Sequence, residues 1–166
     1  MKMFRAYVCN CFWFLVPILV FNVMFARHLP AAYQSNIFWR DIPRSISVPE
    51  NVLRVLAMVV PAVLPVVPAG ASTRTVGAAL YLVGLVLYFA SWSVLMSAPH
   101  SAWSRSAIGF MAPAWTPVIW FVGIALLGDE RLVVPAPCYR RWMFVLLCLA
   151  FLSFHNAHTA LVFMRQ

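Results

Sequence analysis

The chain has 166 residues, of which 64% are hydrophobic and 10% are charged, with a formal net charge of +8. A soluble domain carries about 25% charged residues, so there is too little charge here to coat a water-facing surface, and residues 1–166 read as a single integral membrane domain. Nucleic acid is excluded as a partner, because Lys and Arg flank apolar runs, as they do at membrane-helix ends, instead of clustering.

The amino terminus opens with Lys2 and Arg5 and then turns apolar over residues 7–26. That run is long for a signal peptide, and residues 22–28 make a poor small-residue cleavage site, so it is read as a retained first span, kinked at Pro17. The connection over residues 28–49 interleaves Tyr33, Phe38 and Trp39 with Arg40, Asp41 and Arg44. Such a mixture suits the headgroup layer and predicts a lid or short interfacial helix. Ser47 and Glu50 have capping-box spacing with Pro49 between them, which predicts the start of a short second span over residues 52–67. Glu50 and Arg54 stand four apart, in the order that favours an ion pair.

A turn over residues 68–72 leads to a third span over 76–96, and a second turn over 97–101 leads to a fourth over 107–127. The fourth contains Pro113 and Pro117. Each removes a backbone donor and frees a carbonyl, which membrane helices tolerate when a neighbour or a hydroxyl such as Thr116 satisfies it. An irregular link with Pro135 and Pro137 joins it to a fifth span over residues 142–164. Five spans near the roughly 20 residues that cross about 30 Å of hydrocarbon predict an all-α polytopic fold. Cys9, Cys11, Cys138 and Cys148 lack zinc spacing and read as small apolar fillers.

Counting sides along five spans places the polar residues on the side opposite the amino terminus. Asn22 and His28 arrive there from the first span, Glu50, Asn51 and Arg54 from the second, and Ser91, Trp92 and Ser93 from the third. His100, Trp103 and Ser104 precede the fourth, and His155, Asn156, His158 and Thr159 lie in the late half of the fifth. Serines in lipid are mostly interhelical glue or caps. Ionisable groups inside a span are costly and point to a site. The expected one-sided pocket uses Asn22, Glu50, Asn51, Arg54, Trp92, His100, Trp103, His155, Asn156 and His158 to hold a ligand. Trp13, Trp115 and Trp120 are further candidates for its wall.

Several chemistries compete for that pocket. His155 and His158 are three apart and could share a metal ion with Glu50 and His100 or His28, but the four acids of the chain are Asp41, Glu50, Asp129 and Glu130, and no metal is expected. Haem is not expected either, since its axial histidines must approach from opposite faces. For acid–base chemistry the candidate groups are His155, His158 and Glu50. No nucleophile elbow or phosphate-binding glycine pattern accompanies them, so whether the chain is an enzyme stays open. The expected function is binding of a small amphiphilic or lipid-like ligand, with the bilayer and a protein partner or second copy as the other associations. An accessory subunit of a membrane complex, a membrane immunity protein and a proton-coupled carrier are the alternatives. The basic residues tie between the two sides, and the clustering of Cys9, Cys11 and Cys138 tips the expectation toward a cytoplasmic amino terminus in a bacterial inner membrane.

Overall fold

The computed structural model describes residues 9–67, 72–130 and 139–166. A 3-10 turn at Cys11–Phe14 leads into α1 (Val16–Phe25), and another at Ala31–Tyr33 into the single turn α2 (Ser35–Phe38). The helix α3 (Arg44–Val59) runs on into a 3-10 turn at Val60–Val63. Then come α4 (Ser72–Ser97), the short α5 (Ala102–Arg105), α6 (Ala107–Trp115), α7 (Pro117–Leu127) and α8 (Arg141–Phe163).

Four stretches are long and apolar enough to cross a membrane: Arg44–Val63, Ser72–Ser97, Ala107–Leu127 and Arg141–Phe163. The chain is a helical membrane protein with four such helices among the described residues. The expected first span is represented by the shorter apolar stretch Cys11–Phe25. Residues 7 and 8 of that span, most of the turn over 68–72, and residues 131–138 of the last link, with Pro135, Pro137 and Cys138, lie outside the described residues. Large apolar side chains such as Val23, Val55, Val86, Ile108 and Leu146 are exposed, as a surface in contact with lipid requires.

Two local expectations are corrected. Pro17 does not kink a helix; it occupies the first turn of α1, where its missing N–H costs no intrahelical bond. Ser47 does not cap the second span. That helix starts at Arg44 after Pro43, and Ser47 already donates its backbone N–H to the Pro43 carbonyl at 3.0 Å. Glu50 therefore lies well inside the helix, facing inward, instead of serving its first turn.

The most extensive helix contact joins α4 to α7. Glycines make it close: a Cβ on Gly84 would lie 2.5 Å from the Trp120 backbone nitrogen, and one on Gly123 would lie 2.5 Å from the Tyr81 backbone nitrogen. Small residues of this kind let backbones approach where lipid offers no hydrophobic drive to associate. The α8 helix packs on α3, α6 and α7. Near the chain's start, backbone bonds tie three segments together: Cys11 donates to Leu64 at 2.8 Å, Val67 to Leu127 at 2.8 Å, and Asp129 to Pro65 at 2.7 Å. Beside them Arg141 hydrogen-bonds Glu130 at 3.2 Å and holds that carboxyl below its ordinary range.

The expected fourth span is two helices that meet at Thr116. Its N–H and hydroxyl both donate to the Ala112 carbonyl, at 3.0 and 2.8 Å. Next to this break the Asn156 side chain donates to the Ala114 carbonyl at 3.1 Å. The prolines free the carbonyls four residues before them, those of Gly109 and Pro113, while the Thr116 hydroxyl and the α8 amide bond the neighbouring carbonyls of Ala112 and Ala114.

Candidate functional site

Glu50 is fully buried, and three side chains converge on it. One turn along α3, the Arg54 guanidinium donates to Oε1. From α8, His155 Nδ1 lies 2.9 Å from Oε1 and His158 Nδ1 lies 2.6 Å from Oε2. The three-residue spacing of the histidines puts both rings on the face of α8 that packs on α3. A carboxylate only accepts, so each of these contacts places a hydrogen between the partners.

The connection between α1 and α3 closes the cluster from one end. The Phe38 carbonyl lies 2.9 Å from His158 Nε2, the Phe38 ring stacks on that imidazole at 4.1 Å between centroids, and Trp39 meets it edge-on at 4.6 Å. Trp39 also sits under the Arg54 guanidinium, 5.2 Å from its ring centre. Tyr33 donates its hydroxyl to the Phe110 carbonyl, and burial pushes its phenol up from its ordinary range. At the far end of α8, Arg165 donates to the carbonyls of Arg40 and Asp41. Asp41 takes a positive φ of 53° there, which turns the chain back toward α3.

Beside the cluster lies a cavity of about 380 Å³. Arg54 and His155 form its polar edge, and Asn22, Tyr88, Trp92, Trp120, Phe121, Phe151 and the prolines 113 and 117 line it further in. Its size falls in the range of small-molecule sites. His155 is the link between the two: Nδ1 is held by Glu50, the ring stacks on Phe151 at 5.5 Å, and 23% of the side chain is accessible, along the cavity wall. Asn22 accepts from the Tyr88 hydroxyl at 2.8 Å, leaving its amide donor for the cavity. Among the described residues, the buried indole nitrogens of Trp92 and Trp120 have no hydrogen-bond partner, although Trp92 has the Tyr88 hydroxyl for a weak neighbour. An indole nitrogen is a donor only.

Of the residues expected from sequence, Asn22, Arg54, Trp92 and His155 line this cavity. Glu50 and His158 stand behind its wall, sealed. Asn51 accepts from Arg54 at 3.2 Å and steadies it from outside. Asn156 faces a separate shallow pocket with Trp115 and Ser153. His100 and Trp103 are not brought to the cavity: both are exposed, and His100 lies 3.5 Å from Arg105. Tyr88, the Phe38 carbonyl and the Trp39 ring were not singled out as site groups by sequence, because an aromatic ring in an apolar run, or any backbone carbonyl, carries no local signal.

Among the described residues no group of three or more His, Cys, Asp and Glu has an arrangement able to hold a metal ion. Both Nδ1 atoms of the histidine pair are turned onto the carboxylate. What the cluster can do chemically is orient an imidazole. A carboxylate that accepts from Nδ1–H fixes the tautomer and leaves Nε2 of His155 as an acceptor at the cavity edge. The chain matches no protein-family model, no curated protein and no solved structure.

Proposed function

We propose that this membrane protein binds a small amphiphilic molecule in the cavity beside Glu50, with its tail among the aromatic rings and its head at Arg54 and His155. The observation that carries this reading is the placement of an ionic cluster, built on the fully buried Glu50, against a cavity of about 380 Å³ that Arg54 and His155 of the same cluster line. Interhelical glue alone needs no adjoining space. A buried ion cluster is also a costly way to pack helices, since apolar residues of similar volume do as well or better.

The Glu50-oriented imidazole at the cavity edge supports a second role, acid–base chemistry on the bound head. It is the geometry a general base requires. We further propose that the amino terminus faces the cytoplasm of a bacterial inner membrane and that the cluster opens toward the outer leaflet. A protein partner or a second copy would sit on the apolar outer faces, away from the cavity.

Purification in mild detergent followed by mass spectrometry of the extracted small molecules tests the reading. One amphiphile near equimolar amounts is expected in the natural chain, with strong depletion in a folded His155→Ala variant. A stoichiometric protein partner with no small molecule in either preparation would replace ligand binding with the accessory-subunit reading.

A further inference from the structure

His155 faces two ways. Its Nδ1 lies 2.9 Å from Glu50 Oε1, and the same oxygen receives the Arg54 guanidinium. The one carboxylate of the cluster is thus already matched by one cation, and among the described residues no other acid contacts it. A second positive charge, on the His155 ring, would stand inside the membrane without a counter-charge, which is costly. The ring is therefore neutral, its hydrogen is on Nδ1 facing the carboxylate, and Nε2 is a bare acceptor.

That acceptor is open. Among the described residues, the sealed side-chain nitrogens and oxygens that lack a partner are the indole nitrogens of Trp92 and Trp120. Nε2 of His155 has no protein partner either, yet it is not sealed, and the ring lines the cavity. A second acceptor lies further in. Pro117 has no N–H to give the Pro113 carbonyl, and the N–H and hydroxyl of Thr116 go to Ala112 instead. Pro113 and Pro117 stand one turn apart and both line the cavity, so the freed carbonyl lies on its wall. A head that meets Nε2 has to bring a hydrogen. A carboxylate brings only acceptors. An ammonium brings hydrogens, but adds positive charge beside Arg54, whose carboxylate is already shared. A hydroxyl brings one hydrogen and no charge.

We propose that the head bound here is an uncharged hydroxyl, and that the cavity is a site for a single-chain alcohol whose O–H donates to His155 Nε2. This rests on the ligand-binding reading above and narrows it. Glu50 holds the ring in the tautomer that accepts and is a positioning residue, sealed away from the alcohol itself. The chain follows Phe21, Phe121 and Phe151. A volume of about 380 Å³ is near the small end of ligand pockets, which suits one chain with a small head.

Binding of radiolabelled dodecanol to the full chain in nanodiscs of zwitterionic lipid tests this, with uptake by protein-free discs subtracted. The competitors are unlabelled dodecanol, its methyl ether, dodecanoate and dodecylamine, each compared at equal concentration in the lipid. Dodecanol is expected to bind saturably, and the ether, which keeps the oxygen and lacks the hydrogen, to compete about fivefold more weakly, the scale of one hydrogen bond. In His155→Phe, which keeps a ring and removes the acceptor, alcohol and ether are expected to compete equally. A merely structural role for the ring would weaken both and leave their ratio unchanged, so an alcohol preference that survives in the folded variant overturns the inference. Should the variant not fold, the ratio in the natural chain decides alone. Equal, saturable competition there overturns the hydroxyl assignment and leaves amphiphile binding standing. Tighter competition by dodecanoate or dodecylamine overturns it in favour of a charged head. If no dodecanol binds while another amphiphile co-purifies, only the present inference falls. If neither binds nor co-purifies, both readings fall.

Discussion

Glu50 is the residue on which the site turns. Its two oxygens receive three donors from two helices, so its removal leaves a guanidinium and an imidazole facing one another without an anion. Breaking a buried pair costs about 3–5 kcal/mol. Arg54 is 32% exposed and can turn toward headgroups, which brings the expectation for Glu50→Gln to about 3 kcal/mol, the low end of that range. Thermal unfolding in detergent checks it; an unshifted midpoint would mean that the carboxylate does not hold these partners. The two histidines should then separate in behaviour. His155→Ala changes a cavity edge and is expected to lower ligand binding with a small effect on the midpoint. His158→Ala removes a sealed ring that bridges Glu50 and the Phe38 carbonyl, and is expected to lower the midpoint by at least as much as Glu50→Gln. Sequence made this cluster visible because ionisable residues inside apolar runs stand out. It could not show Tyr88, since one aromatic among many in an apolar helix looks like packing, although Trp120, named for the wall, does line the cavity. His100 and Trp103 were included on the strength of their side of the membrane alone, and that coordinate does not say how close to the cavity a turn residue comes.

Among the elements, the α4–α7 contact is the tightest and the most sensitive to side-chain size. A Cβ at Gly84 would meet Trp120 backbone and Cβ atoms at 2.5 to 2.9 Å, where no flexible side chain can move aside. Gly84→Val is therefore expected to destabilise by the upper part of the overpacking range of about 1–3 kcal/mol, or to prevent folding. A normal melting midpoint for Gly84→Val would contradict the close approach. The broken helix at Thr116 makes a milder expectation. Asn156→Leu removes the amide that meets the Ala114 carbonyl, and polar contacts in membrane helices average about 0.6 kcal/mol. The midpoint should fall by no more than a few degrees. Hydropathy located α4, the α6–α7 pair and α8 closely because each is apolar over most of its length. It missed the beginning of α3 by eight residues, from Val52 back to Arg44, because that half mixes Arg44, Ser45, Ser47, Glu50 and Asn51 with apolar positions and does not read as lipid-embedded. The polar half of α3 is also the half that builds the site, so the same residues that revealed the cluster concealed the helix.

For the molecule as a whole, the arrangement is a helical membrane protein whose most enclosed helix pair, α6–α7, is wrapped by α4 and α8. Its outer faces are apolar, and its polar groups are gathered where α3, α8 and the returning connection meet. The proposed ligand would lie in the cavity on one flank of that cluster. Native mass spectrometry of the chain and of Met58→Trp tests this most directly. Met58 lines the cavity and is not among the partners of Glu50, so tryptophan there fills the space and leaves the ionic cluster in place. The natural chain is expected to carry one bound amphiphile that Met58→Trp, equally folded, does not. An adduct of the same mass and abundance on both proteins would show that the molecule sits elsewhere and would contradict the assignment of this cavity.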